Sequence, residues 1–328
     1  RHTRRSMAET QTRLSLARIA EAAAVIDPVF RDSPQLAFDP LSRELGADVV
    51  LKVETLNPIR SFKGRGGDYY VHRLPDSTPL VVASAGNFGQ GLAYAASRRG
   101  IPLTVFAADT ANPMKIARMR ELGAEVVLAG QDFDAAKTAA RAHAAEHAYR
   151  FIEDGRDAPI SEGAGSMAVE LLRWPRPFDA ILVALGNGAL INGIGTWIKT
   201  HAPSTRVVGV CATGAPAMER SWRSGTVVTT ATVETIADGI GVRVPVAEAL
   251  HDMRPIVDDV LLVDDATTLR AMRLLVHHTG LVVEPSGAVG VAAVLAHRAR
   301  FADKLVATPL CGGNVSREQF KAWFVEGA

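Results

Sequence analysis

Cysteine is scarce in this sequence: Cys211 and Cys311 are the only two in 328 residues. That excludes a disulfide framework, and free thiols suit a reducing compartment, so a cytoplasmic setting is expected. Neither sign of charge is in excess. Thirty-six basic side chains against thirty-five acidic ones leave a formal net charge of +1, so no charge footprint calls for nucleic acid or an anionic membrane as partner. Long apolar runs are missing too, and no stretch approaches the roughly 20 residues of a spanning helix. The basic opening, RHTRRSMAETQTR, leads into no apolar run. It reads as a frayed tail and not as a secretory signal. No short-period repeat or low-complexity tract is present.

What is present is the composition of a globular enzyme, 48% hydrophobic and 22% charged. The length exceeds what one core usually serves, so two domains are expected. From residue 79 onward, short apolar runs alternate with longer amphipathic ones. LVVAS, IPLTVFAA, EVVLAG and YRFIED read as strands. Between them, GNFGQGLAYAASRRG, NPMKIARMRELGA and DFDAAKTAARAHAAEHA read as helices, the last capped by Asp132 or Asp134. MAVELLRW begins a second such series. Strands follow in DAILVALG, TRVVGVCA, DDVLLVDD and KLVATPLCGG, with helices in ATTLRAMRLLVHHTG, EPSGAVGVAAVLAHRA and SREQFKAWFVEG. The rhythm predicts an α/β fold of parallel sheets covered by helices. Residues 216–257, rich in Gly, Pro and Thr, read as a long surface excursion.

Three loops share one design, an apolar strand followed by small residues. They are Ser84-Ala85-Gly86-Asn87-Phe88-Gly89-Gln90-Gly91, Gly186-Asn187-Gly188-Ala189-Leu190 and Cys311-Gly312-Gly313-Asn314. Ligands of parallel sheets sit beyond the carboxyl ends of the strands. A glycine-led helix N-terminus offers free N–H groups and a positive dipole end, so residues 186–190 are a candidate phosphate cup. A dinucleotide fingerprint fails there because Ile191 stands where glycine is needed, and no P-loop occurs anywhere. The phosphate then belongs to something smaller than a nucleotide. The stretch Asn57–Gly67, NPIRSFKGRGG, sets one lysine between an aromatic residue and glycines. A solvated loop is the plain reading, and a lysine held against a ligand is the sharper one.

In order along the chain stand SFKGRGG, ASAGNFGQG, the glycine cup, TIADGI, VVEPSGA and PLCGGNVS. Together, from about residue 25 to residue 320, they resemble the pyridoxal-phosphate-dependent enzymes of the tryptophan-synthase β-like fold, in the branch of threonine/serine dehydratases and serine racemase. The resemblance implies fold type II, with a large cofactor domain of residues 1–73 plus 152–328 and a small domain, 74–151, inserted in it. It implies pyridoxal 5′-phosphate as cofactor, with Lys63 as its Schiff-base lysine and general base and Phe62 packed beside it. Asn87 would bond the cofactor's 3-oxygen. Gly186, Asn187, Gly188, Ala189 and Leu190 would hold the phosphate, and Cys311 would face the pyridine nitrogen. Ser84, Ala85, Gly86, Asn87 and Phe88 would receive the substrate carboxylate.

The departures from the pattern carry information as well. The cup is Gly-Asn-Gly-Ala where four glycines are common, but backbone donors survive that change. Phe88 replaces a common histidine. No carboxylate follows TRVVGVCA closely, so no metal is expected there. Ala85 stands where racemases of the family carry serine, which favours elimination of water from an L-β-hydroxy amino acid, giving a 2-oxo acid and ammonia. β-Replacement and a non-catalytic cofactor-binding protein are the alternatives. A homodimer is implied by the resemblance. With fourteen residues after Asn314, no C-terminal regulatory domain is expected. Glu284, Arg65, His277, His278, Asp258, Asp259, Asp264, Asp265 and Cys211 are each read as structural before catalytic.

Overall fold

A computed structural model of the chain describes residues 12–326. Among the described residues, ten strands build two sheets. The larger joins β1 (Gln35–Ala37), β2 (Asp48–Val53), β7 (Ala180–Ala184), β8 (Arg206–Ala212), β9 (Asp259–Val263) and β10 (Leu305–Leu310), in the order β1-β2-β10-β7-β8-β9. The smaller joins β3 (Leu80–Ala83), β4 (Leu103–Ala107), β5 (Glu125–Leu128) and β6 (Arg150–Ile152), in the order β5-β4-β3-β6. Every pairing is parallel except the antiparallel edge pair of β1 and β2. The α/β expectation is met.

Central strands such as β7, AILVA, are buried along their whole length because helices cover both faces. Each such Val, Ile or Leu contributes about 1.5–3 kcal/mol on burial. Helix ends follow local chemistry. Asn112 caps Pro113–Glu121, which has proline in its first turn, and Gly280 ends Asp265–Thr279 at φ 71°. Asp132, not Asp134, caps Phe133–His147, accepting from the Ala135 N–H.

Three sequence readings need correction. The helix assigned to MAVELLRW is the tail of a longer one, Ala158–Leu171, whose start is masked in the sequence by Gly163 and Gly165. Residues 216–257 are a surface excursion only in part, exposed or half-buried through 222–236. They hold helices Ala217–Ser224 and Ala247–Met253, and Ala237 and Ile240 between them are buried. Of the stretch read as a frayed tail, residues 1–11 lie outside the described residues, but Arg13 is docked, its Nη2 2.7 Å from Oδ2 of the buried Asp252.

Candidate active site

The topology gathers the site before any side chain is considered. β2, β10 and β7 are neighbours in the large sheet, and their carboxyl ends lead to Lys63, Cys311 and the Gly186–Leu190 cup. β3 and β6 are neighbours in the small sheet, and their carboxyl ends lead to Asn87 and Asp154. Between the two sets of strand ends lies a cavity of about 650 Å³. Phe62, Lys63, Ser84–Phe88, Gly186–Leu190 and Cys311 all line it, so every residue singled out for the site is brought to one place.

Lys63 opens the helix Lys63–His72. Asn57 folds the turn that delivers it. Its Oδ1 accepts the Ile59 and Ser61 N–H groups at 3.1 and 3.3 Å, and its Nδ2 donates to the Glu54 and Ser61 carbonyls. The Phe62 N–H donates to the Cys311 carbonyl at 3.1 Å, tying this turn to β10. A glycine is required at 91. A Cβ there would stand 2.6 Å from the Lys63 carbonyl oxygen, and its absence lets the helices Lys63–His72 and Asn87–Arg98 touch. The Lys63 ammonium lies 4.9 Å from the Phe62 ring centroid and 5.4 Å from that of Phe88. Its Nζ is 2.6 Å from Asp154 Oδ2, a partner the sequence did not single out.

The 84–88 loop is held by Ser84, whose Oγ accepts the Gly86 and Gly89 N–H groups at 3.2 and 2.9 Å. Asn87 donates from Nδ2 to Glu284 Oε1 at 2.8 Å and accepts from Asn314 Nδ2 at 2.8 Å. The Asn314 N–H donates to Glu284 Oε2 at 2.9 Å. Glu284 thus lines the cavity while standing at the start of the helix Pro285–Ala296. Burial, and Asp238 beside it, push its carboxyl up to about 7 against the pull of Lys115 and these hydrogen bonds. Cys311 is buried and donates to the Ser286 carbonyl at 3.4 Å. Burial and the nearby Glu284 push its thiol up to about 12, so it is a neutral group at the cavity wall.

The cup leads into the helix Ala189–His201. Its cap residue Gly188 has φ 94° and supplies no side-chain cap, which leaves the first-turn N–H groups facing the cavity. Such a terminus suits a phosphate. Ser286 Oγ, buried on the same wall, has no hydrogen-bond partner in the protein. A lysine amine, a backbone anion cradle and a neutral thiol fit pyridoxal phosphate by donor chemistry.

The comparisons agree. The family profile described as pyridoxal-phosphate dependent enzyme matches residues 26–312. The chain belongs to that family of pyridoxal-phosphate dependent enzymes. It is 35% identical over 277 residues to an L-threonine ammonia-lyase of Geobacter sulfurreducens, covering 84% of this chain and 69% of the relative. It is 32% identical to another from Thermotoga maritima, covering 92% of this chain and 76% of that one. The solved T.th. threonine deaminase superposes with a TM-score of 0.87 at 34% identity, covering 92% of this chain and 99% of that one. Maize serine racemase superposes with a TM-score of 0.88 at 25% identity, covering 94% and 96%.

The remaining polar candidates have structural partners. Arg65 is fully buried against Glu54 and Glu170. His278 Nε2 is 2.7 Å from Glu44, Asp258 pairs with Lys199, and Asp259 pairs with Arg300. Asp264 caps its helix, Asp265 accepts from the Ile236 N–H, and Cys211 contacts the Leu185 carbonyl. Among the described residues, no helix is long and apolar enough to cross a membrane.

Proposed function

We propose that this enzyme is an ammonia-lyase that converts an L-β-hydroxy amino acid of the threonine/serine class to a 2-oxo acid and ammonia. The observation that carries the reading is the Lys63 amine lining one cavity together with the glycine cup, in a chain similar to L-threonine ammonia-lyases. In this reading Lys63 holds the cofactor, residues 186–190 hold its phosphate, and Asn87, Cys311 and Phe62 surround its ring. The bound cofactor supplies an electron sink for the pair left at Cα.

The chain's own groups do the rest. Lys63 Nζ would take the α-proton as general base and pass it to the departing β-hydroxyl, which leaves as water, and hydrolysis of the enamine's imine tautomer would then give the 2-oxo acid and ammonia. Ser84 shapes the 84–88 loop so that its backbone, from Ala85 to Phe88, meets the substrate carboxylate. The Phe62 and Phe88 rings flank the amine at 4.9 and 5.4 Å from their centroids and give it an apolar border on that side. Ala85 offers no hydroxyl near the carboxylate loop, which supports elimination over racemisation. The two separate sheets support a division into domains near 1–73 plus 152–328 and 74–151, with β6 carrying the small sheet one residue further, to Ile152, and the two buried free thiols support a cytoplasmic setting. A homodimer belongs to the same reading.

The test is 2-oxo acid release by the cofactor-loaded protein from L-threonine and L-serine, with D-serine as control. Release from the L-substrates that vanishes in Lys63→Ala is expected. No release from either, or release that survives in Lys63→Ala, overturns the reading.

A further inference from the structure

Four basic side chains line the cavity among the described residues: Lys63, Lys115, Lys137 and Arg243. Each has an acid as partner, and the pairs differ in which member water reaches. Lys63 and Asp154 are both largely buried, and Lys63 belongs to the cofactor in the reading above. Lys137 pairs with the buried Glu153, which also meets Arg141. Arg243 and Asp134 are both partly exposed, so neither needs the other. Of the four pairs, only that of Lys115 joins a dry cation to a wet acid. Its side chain is 7% exposed, and that of Asp238, 2.5 Å away, is 59% exposed. Lys115 reaches the cavity at the 84–88 loop. A Cβ built on Gly86 would stand 3.8 Å from Lys115 Nζ and 4.0 Å from its Cδ, so the stem runs past Gly86 and sets the ammonium beside the middle of the loop. Glu284, the other acid whose charge Lys115 opposes, is already held by Asn87 and Asn314.

We infer that Lys115 is the counter-cation of the substrate's α-carboxylate, and that the carboxylate takes it over from Asp238. This role rests on the reading above, in which the 84–88 backbone meets the carboxylate, and it adds the full positive charge that a backbone lacks. The exchange of partners favours the substrate for a physical reason. A buried ammonium is costly to leave without an anion, so Lys115 needs one at every stage. Asp238 loses little by leaving, because water already solvates more than half of its side chain. The substrate carboxylate is drawn out of water in any case and gains a charged partner there. It has two oxygens, so it can accept from the loop backbone and from Lys115 together. Held at both, it fixes the rotation of Cα and so the direction of the proton that Lys63 is to take. No proton moves and no covalent bond changes in this exchange.

The cofactor-loaded protein is titrated with L-alanine and with L-alaninamide, neither of which has a β-leaving group, and binding is read from the shift of the bound cofactor's absorption band. Wild type should bind the carboxylate more tightly than the amide by about 10- to 100-fold, as for a charged hydrogen bond. Lys115→Met should cut that preference about tenfold, and Lys115→Arg should keep most of it. Asp238→Asn removes the competing anion, so it should bind L-alanine about threefold or more tighter than wild type and L-alaninamide no differently. A pair that served only the fold would give the opposite pattern, with Lys115→Met and Asp238→Asn both weakening both ligands alike. That pattern, equal binding of the two ligands by wild type, or a preference untouched by Lys115→Met overturns the inference even if threonine is turned over. Failure of every L-β-hydroxy amino acid to yield a 2-oxo acid overturns the elimination reading, while the binding preference still decides the role of Lys115.

Discussion

Arg65 and Glu170 meet at 2.7 Å in the interior, two residues along the helix from Lys63. The same guanidinium also grips Glu54 at 2.8 Å, and Lys52 joins Glu170 at 2.5 Å. Burial pushes the Glu170 carboxyl up, but Arg65 and Lys52 outweigh it and hold it at about 2. The group pins the Lys63 helix to Ala158–Leu171 and to β2. Arg65→Met should cost about 3–5 kcal/mol, since it strands buried carboxylates. Chemical denaturation of the cofactor-free protein checks this, and a midpoint equal to wild type would refute it.

Glu284 gives a pH signature of the opposite sign. Its folded carboxyl titrates near 7 and its unfolded one near the ordinary 4.5. Between those values the folded state holds a proton that the unfolded state has lost. This contribution to stability is therefore full below 4.5 and is lost as pH rises through about 7, a change of about 3 kcal/mol. Thermal unfolding of the cofactor-free protein from pH 4.5 to 8 should show the decline, and Glu284→Gln should flatten it.

Both thiols should be inert in the native protein. Burial pushes Cys211 up to about 12, and burial with Glu284 does the same to Cys311. Titration with a thiol reagent at pH 8 should find no fast-reacting group until denaturant is added, and then two. Rapid labelling of either in the folded protein would contradict the burial described.

Gly188→Val should release the cofactor while leaving the fold. A side chain at φ 94° is strained by about 1–3 kcal/mol, and its Cβ would press to 3.1 Å from Ala249. The change falls on the backbone that forms the proposed cradle. Dialysis against cofactor-free buffer should strip the variant at least tenfold faster than wild type, with far-UV circular dichroism unchanged.

The site was legible wherever its chemistry lies in contiguous residues. The 84–88 loop, the cup and Cys311 each follow a readable apolar strand, SFKGRGG shows itself by one lysine between an aromatic residue and glycines, and the cavity collects them all. Asp154 was missed because its meaning depends on β6 lying beside β3, and strand order is not written in any local stretch. The Glu284–Asn87–Asn314 network was only half seen for the same reason, being assembled across 227 residues of chain. Helix Ala158–Leu171 was read short because its glycines serve close packing against neighbouring helices, where local propensity would forbid them. The 216–257 segment looked like a loop because its two helices, Ala217–Ser224 and Ala247–Met253, are short and stand apart, while Met218, Met253 and Ile256 pack into the large core.

The Gly186–Leu190 cup divides its labour by atom type. In the proposed role its main chain answers to the phosphate, while the Asn187 side chain turns instead toward Asp154. A main-chain cradle has no recognition side chain that mutation can remove. Side chains at 187 and 189 are then free to vary in kind, while position 188 must keep the φ of 94° that turns the main chain inward.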